Sequence, residues 1–316
     1  MKNRIVNGKE LSQISLGTVQ FGMNYGIANE GGQPSTEKSF GMLDCALKLG
    51  ITSLDTARAY GTAEDVLGEY FKANPQEKMP FITSKLVVKD PINVSDKEIE
   101  KGMYESVETS LKKLGVDSLD CLLLHRGGGY LLGDCKKVVA KTFEKLVNEG
   151  YTKMAGVSIY EPEEVDAMLQ NDVYRAVQLP MSLFDQQWIE KGYIRKLKEA
   201  DALVFVRSVF LQGLFFLNPD EIKDPLLLEY AKPYILKLHE FCKKSGMTIA
   251  EFAISFIRDI DGVTSLVLGA DTEAQISQNI NYINAPVIPD DVRKEAFETF
   301  KDVNLSKIME VLRRPK

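Results

Sequence analysis

Along most of this chain, hydrophobic positions switch between two periods. Short, often β-branched apolar runs fall at residues 13–17, 52–55, 81–85, 119–125, 153–158, 176–180, 203–208 and 265–269. Several lack the strict alternation of a half-exposed strand, the pattern of strands covered on both faces. Between and after them lie segments of helical period at 36–49, 63–71, 95–113, 136–148, 161–169, 187–200, 226–260 and 271–282. The first of these stops at Gly50, a C-cap signal, and 226–260 reads as two helices broken at Ser245-Gly246. Eight strand–helix units with right-handed crossovers predict an α/β fold, a closed (β/α)8 TIM barrel with its active site at the C-terminal strand ends. Ahead of the units, Asn7-Gly8 between short β-capable stretches predicts a hairpin over 4–12. Behind them, the stretch from Pro286 to Asp290 introduces a final amphipathic helix with Phe297, Phe300, Val303 and Leu305 as its apolar residues. A tail this short packs on the barrel, so 1–316 is expected to form one domain. The glycines of 18–35 predict a long loop, and Arg126-Gly127-Gly128-Gly129-Tyr130 a short, open or mobile entrance.

Composition narrows the functional classes. A net charge of −6 gives no reason to expect nucleic acid or an anionic membrane as partner. The four cysteines (Cys45, Cys121, Cys135, Cys242) show no paired spacing, and Cys45 and Cys121 sit in apolar settings, the usage of a reducing compartment. Two histidines and no His/Cys cluster leave little material for a zinc or iron site, so no metal is expected. The first residues lack a signal-peptide core and no apolar run approaches a membrane span. The expectation is a cytoplasmic protein, a monomer or weak oligomer.

The candidate chemistry sits at strand ends. Ile51-Thr52-Ser53-Leu54-Asp55 is a buried strand ending in a carboxylate, which is costly unless something pairs with it. The run at 81–85 ends in Lys85 and that at 119–125 in His125, while Tyr60 follows Asp55 by five residues and precedes Gly61. If these strands are parallel neighbours, all four side chains converge on one proton-transfer site. Taken singly, Asp55 with Lys85 could be a structural ion pair, His125 a satisfied core histidine and Tyr60 an ordinary packed tyrosine. Together those readings need four coincidences at strand ends. His239 reads as a helix-face residue, and Trp188 as core packing or a substrate contact.

The Asp-x4-Tyr segment, with Lys85 and His125 in this order, resembles the catalytic tetrad of the aldo-keto reductases. The resemblance runs on through Gly17-Thr18, Gly156-Val157-Ser158, Gln178 and Gly269 to Asn279, nearly the whole chain. It implies reduction of an aldehyde or ketone by hydride from NADPH or NADH, with Tyr60 as general acid. Lys85 and Asp55 would tune that phenol, whose ordinary pKa of about 10 makes it a poor proton relay unless a cation lowers it. His125 would hydrogen-bond the carbonyl oxygen, and the N-terminal hairpin would plug the bottom of the barrel.

For the cofactor, Ser158 and Gln178 match the family's contacts to the nicotinamide amide, but Ile159 stands where an Asn is usual, a loss on the order of 1 kcal/mol. Gly17, Thr18, Val19 and Asp55 join the same set. Arg207-Ser208-Val209-Phe210-Leu211-Gln212-Gly213 keeps the family's Ser208 and Gly213 without its proline, and Arg207, Ser208, Leu211, Gln212 and Gly213 are assigned to the pyrophosphate. Gly269, Asp271, Gln275, Gln278 and Asn279 are assigned to the adenosine end, where a helix start favours phosphate. The plain alternative there is a surface helix capped by Asp271. Gly269, Asp271 and Gln275 occupy the places where members favouring NADPH carry Lys or Arg, which implies weaker discrimination for NADPH than among relatives and leaves a preference for NADH open. Phe21, Tyr25, Phe184 and Trp188, with Tyr60 and His125, are the candidate contacts of a small-molecule carbonyl substrate. Two other functions remain open at this stage: a redox-sensing regulatory subunit on the same fold, and a Schiff-base enzyme using Lys85 as nucleophile.

Overall fold

The computed structural model describes residues 1–25, 31–88, 94–126 and 128–314. The chain opens with an antiparallel hairpin, β1 (Asn3–Val6) and β2 (Lys9–Ser12). Its turn places Asn7 and Gly8 at φ 48° and 79°, as a tight two-residue turn requires. Barrel strand β3 (Ile14–Gly17) is followed by α1 (Val19–Gly22) and α2 (Thr36–Lys48), β4 (Ser53–Asp55) by α3 (Ala63–Ala73), and β5 (Phe81–Leu86) by α4 (Asp96–Leu114). Next come β6 (Cys121–Leu124) with α5 (Gly128–Leu132) and α6 (Lys136–Asn148), and β7 (Ala155–Ser158) with α7 (Glu163–Met168). β8 (Tyr174–Pro180) leads to α8 (Gln187–Glu190) and α9 (Tyr193–Glu199). β9 (Leu203–Arg207) passes through a 3-10 turn (Leu211–Phe216) to α10 (Pro225–Tyr230), α11 (Lys232–Ser245) and α12 (Ile249–Arg258). After β10 (Ser265–Leu268) the chain ends with α13 (Glu273–Ile283), α14 (Asp290–Phe300) and α15 (Leu305–Leu312).

Each barrel strand pairs in parallel with its neighbours in sequence, and β10 closes on β3, so the expected eight-stranded barrel is borne out. One core fills the space between strands and helices. A second fills the lower lumen: Phe81, Cys121, Leu123, Ala176, Leu203 and Phe205 meet Val6 and Leu11 of the hairpin, which plugs this end. Beside it, Ser15 of β3 hydrogen-bonds to Ser53 and Ser265 of the adjacent strands β4 and β10 at 2.8 and 2.9 Å. Because strand side chains alternate, residues two positions above these lumen-facing residues also face inward. That rule carries Asp55, Lys85 and His125 to the upper end.

One buried carboxylate ties the plug to two barrel strands, beside the surface pair of Arg4 with Asp201. Asp120, buried before β6, accepts from Lys9 of the hairpin at 2.7 Å, from the Ile82 backbone N–H at 2.9 Å and from Lys153 at 3.1 Å.

Several elements differ from expectation. The helix read over 187–200 is two pieces, parted where Gly192 takes φ 74°. The segment 226–260 holds three helices, since Pro233 lacks an N–H and restarts the chain at the first turn of α11. The single C-terminal helix is α14 and α15, the second capped by Asn304, whose side chain accepts from the Lys307 N–H. Tyr130 is buried in α5 and donates to the Val88 carbonyl at 2.9 Å, so this part of the expected glycine loop is an anchored helix. Gly127, and residues 26–30 of the loop read over 18–35, lie outside the described residues. No described helix is long and apolar enough to cross a membrane.

Replacing Asp120 by Ala strands two lysines and one buried N–H together. We expect a loss of about 2–4 kcal/mol in unfolding free energy, read from urea denaturation at neutral pH.

Candidate active site

The floor of the site follows from strand register. Asp55 pairs with Thr83, so Lys85 rises two residues above its partner on the same inward face. Its ammonium reaches Asp55 Oδ1 at 2.6 Å and the Thr56 carbonyl at 2.9 Å. Gln178 of β8 donates to Asp55 Oδ2 at 2.6 Å, so both carboxylate oxygens are engaged. Thr18 holds the backbone of the same residue, donating to the Asp55 carbonyl from its N–H at 2.9 Å and from its hydroxyl at 3.0 Å. Lys85 is completely buried. Burial by itself would pull its pKa down, but Asp55 and Tyr60 outweigh that and hold it above the ordinary lysine value. An ammonium so held carries no free amine, which argues against the Schiff-base reading.

Tyr60 is set by the loop leaving β4. Arg58 N–H donates to the Lys85 carbonyl at 3.1 Å, and its guanidinium pairs with buried Glu64, which also accepts from Ser84 Oγ at 2.7 Å. Two glycines let this loop approach α1. A β-carbon on Gly22 would lie 1.8 Å from the Tyr60 carbonyl, and one on Gly61 (φ 53°) would lie 2.1 Å from the Gly22 carbonyl. The phenol then stands beside the ammonium, with Lys85 Nζ 4.9 Å from the ring centroid. Burial pushes the Tyr60 pKa up, and the opposing pull of Lys85 is partly cancelled by Asp55, so the net shift is upward. The expected lowering does not appear: the phenol stays protonated at neutral pH, as a proton donor must.

The His125 ring meets that of Tyr60 edge-on, with centroids 6.0 Å apart and planes at 88°. Burial, and then the charges of Lys85, Arg126 and Arg207, lower its pKa to about 3. The imidazole is therefore neutral at working pH.

From Asp55 and Tyr60 a cavity of about 450 Å³ opens along the C-terminal strand ends. Gly17, Val19, Gln178 and Tyr25 line its start, Arg207, Ser208, Gln212 and Gly213 its flank, and Gly269, Asp271, Gln275, Gln278 and Asn279 its far end. The other expected residues lie elsewhere. Thr18 is buried behind the floor, Ser158 ends β7 beside Gln178, and Leu211 is buried under the flanking loop. Lys85 and His125 are not among the cavity-lining residues. Phe21, Phe184 and Trp188 are core residues that do not line this cavity; Phe184 stacks among Phe215, Phe300 and Tyr234.

Seven cavity residues were not assigned individually: Gln20, Val209, Phe210, Phe216, Val267, Leu268 and Tyr282. Gln20 packs its amide over Gly269, where a β-carbon would meet Nε2 at 2.4 Å. Its signal was a polar residue in the first turn after a barrel strand.

The flank is strained. Ser208, Leu211 and Gln212 hold φ of 64°, 47° and 57°, beside Gly213 at 92°. Positive φ at non-glycine residues carries a cost. Arg207 stacks 4.3 Å over the Tyr160 ring and donates to the Ile159 carbonyl at 3.3 Å. At the far end Thr272, not Asp271, caps α13, accepting from the Gln275 N–H. The Asp271 N–H donates to Gln275 Oε1 at 2.6 Å, and Asp271 Oδ1 is buried without a hydrogen-bond partner. Burial raises the pKa of this carboxyl, with Gln275 opposing.

The sequence profile of the Aldo/keto reductase family matches residues 13–296. L-glyceraldehyde 3-phosphate reductase of Escherichia coli K12 is 24% identical over 309 residues, covering 88% of this chain and 86% of the relative. The NADH-specific methylglyoxal reductase of the same organism is 22% identical over 315 residues, covering 87% and 94%. An aldo-keto reductase of Bacillus halodurans, solved in its holo form, superposes with a TM-score of 0.76 at 22% identity over 96% of this chain and 97% of that one.

Changing Lys85 to Met leaves Asp55 buried with Gln178 alone. We expect unfolding stability to fall by about 3–5 kcal/mol at neutral pH and to recover in part when Asp55→Leu is added. A denaturant midpoint equal to that of the unmodified chain would mean the pair contributes nothing.

Proposed function

The chain belongs to the aldo/keto reductase family, and we propose that it reduces an aldehyde or ketone to the alcohol, with Tyr60 giving the proton and NADH the preferred hydride source. Family membership makes it a nicotinamide-dependent oxidoreductase acting on a small molecule. The observation that carries the finer reading is the buried Lys85 ammonium, pinned by Asp55 and facing Tyr60 at the cavity floor.

The polar atoms along the cavity fit a dinucleotide, including the unpartnered Asp271 Oδ1 and Gln20 Oε1. Gln178 and Ser158 would hold its nicotinamide amide, Arg207, Ser208, Gln212 and Gly213 its pyrophosphate, and Asp271, Gln275, Gln278 and Asn279 its adenosine. When bound, it supplies hydride to the carbonyl carbon. Tyr60 donates its phenolic proton to the carbonyl oxygen, and the neighbouring ammonium stabilises the phenolate left behind. Asp55 and Gln178 keep that ammonium from moving, and neutral His125 orients the oxygen by hydrogen bonding. The free cysteines support a reducing compartment, the cytoplasm, as the place of action.

Tyr60→Phe should lower kcat by about 10²–10⁴-fold, the usual worth of a general acid, while the dissociation constant for cofactor stays within about twofold. Turnover within a few-fold of the unmodified enzyme would remove Tyr60 from the role.

The preference for NADH rests on the far end of the cavity. Among the described residues lining it there, none is Lys or Arg, and Asp271 presents a carboxyl. A 2′-phosphate would meet like charge, whereas free ribose hydroxyls would find an acceptor. The name of the NADH-specific relative points the same way. Quenching of protein fluorescence at matched salt should give a lower dissociation constant for NADH than for NADPH. A preference for NADPH of about a hundredfold, or 2.7 kcal/mol, would overturn the assignment.

A further inference from the structure

We propose that Glu64 is a positioning residue for the proton transfer, whose carboxylate sets the separation of the Tyr60 phenol from the Lys85 ammonium. The proposal rests on the reading of Tyr60 as general acid and adds the group that holds it in place.

Tyr60 stands midway along the bridge from β4 to α3. Turns hold its own backbone: the Tyr60 N–H donates to the Ala57 carbonyl at 3.0 Å, and the Ala63 N–H to the Tyr60 carbonyl at 2.9 Å. On one side the Thr62 N–H donates to the Gly22 carbonyl of α1 at 3.3 Å. On the other side two links run to β5. The first is the bond from the Arg58 N–H to the Lys85 carbonyl at 3.1 Å. The second runs through Glu64. One of its carboxylate oxygens pairs with the Arg58 guanidinium and closes the segment 58–64 around Tyr60; the other accepts from Ser84 Oγ at 2.7 Å. Ser84 precedes Lys85 in β5 and faces away from the lumen, as alternation requires when Lys85 faces in. A single carboxylate therefore joins loop, helix and strand outside the barrel, much as Asp55 joins strands within it.

Burial separates this group from an ordinary acid in the first turn of a helix. The helix dipole favours such acids, and Asp65 in the same turn meets that preference at the surface, paired with Lys113 and with 37% of its side chain exposed. Glu64 is only 1% exposed. A carboxylate withdrawn from water is costly, and apolar side chains of similar size would hold helix to strand without that cost. What apolar contact lacks is direction. Two hydrogen-bonded oxygens fix both distance and angle between the loop and the strand. Proton transfer needs both, since displacing a reacting group by about 1 Å can slow a reaction by about 10²-fold.

The test uses the full chain with NADH and whichever of methylglyoxal, glyceraldehyde and benzaldehyde it reduces fastest. Glu64→Gln should lower the single-turnover rate of NADH oxidation at least about tenfold, with KM and the dissociation constant for NADH within about twofold. In a Tyr60→Phe background the same change should lower that rate by less than about twofold, because no phenol is left to position. A merely structural carboxylate would slow both backgrounds alike. A second variant, Arg58→Met with Glu64→Met, separates placement from stability. It replaces the ion pair by apolar side chains, so it should keep or exceed the urea midpoint of the unmodified chain and still lose at least about tenfold in rate. If either variant folds and reacts within about twofold of the unmodified enzyme, or if the loss persists in the Tyr60→Phe background, the proposal falls while the reductase reading stands. If Tyr60→Phe alone costs nothing, or none of the three aldehydes is reduced with either cofactor, the reading of Tyr60 falls and takes the proposal with it.

Discussion

The buried pair of Lys85 and Asp55 is the constraint on which the upper half of this barrel depends. Withdrawing an ammonium and a carboxylate from water costs several kcal/mol per ion, and their attraction offsets this only when the remaining hydrogen-bonding groups are also satisfied. Here Gln178 takes the second carboxylate oxygen and the Thr56 carbonyl takes a second ammonium proton. Those partners come from β4, its exit, β5 and β8. Only a closed barrel brings β8 across the lumen to face β4 and β5, so the architecture and the ion pair specify each other.

The rest of the lumen can be read as support for that pair. The apolar layer resting on Val6 and Leu11 keeps water out from below, and three serines link the adjacent strands β10, β3 and β4 with short hydroxyl contacts. Asp120 fastens the plug from outside the lumen, using the backbone of β5 just below the strand residues that lead to Lys85. A polar residue at each level therefore has a partner supplied by a neighbouring strand. Asp55 pays for nothing that its own strand provides.

What the sequence disclosed follows the same division. Strand order, inward alternation and the meeting of Asp55, Lys85 and His125 were legible because a strand's period fixes where its last residue points. Gly61 was legible because a sharp loop had to follow Asp55. Its counterpart Gly22 was not, since close approach between two loops has no local signature. Phe21, Phe184 and Trp188 looked suited to a pocket because they lie in loops at the correct end. Their side chains turn into the helix–strand layer instead, a choice set by burial that loop position does not reveal. The break at Gly192 and the restart near Pro233 were present in the sequence but were outweighed by the helical period around them.

The cavity also has a polarity that no single motif expresses. Its far end carries Asp271 and uncharged amides, and its near end carries Arg207, with Arg126 within electrostatic reach of His125. Net charge alone, negative overall, would have suggested repulsion of any anion. Local pairing qualifies that conclusion, because Lys85 is neutralised in place while Arg207 has no carboxylate partner among the described residues. A neutral His125 follows first from burial and then from the cations near it, Lys85 before Arg126 and Arg207. Under the proposed reading the phenol gives the proton, since the ammonium is held charged by Asp55 and the imidazole carries no extra proton to give.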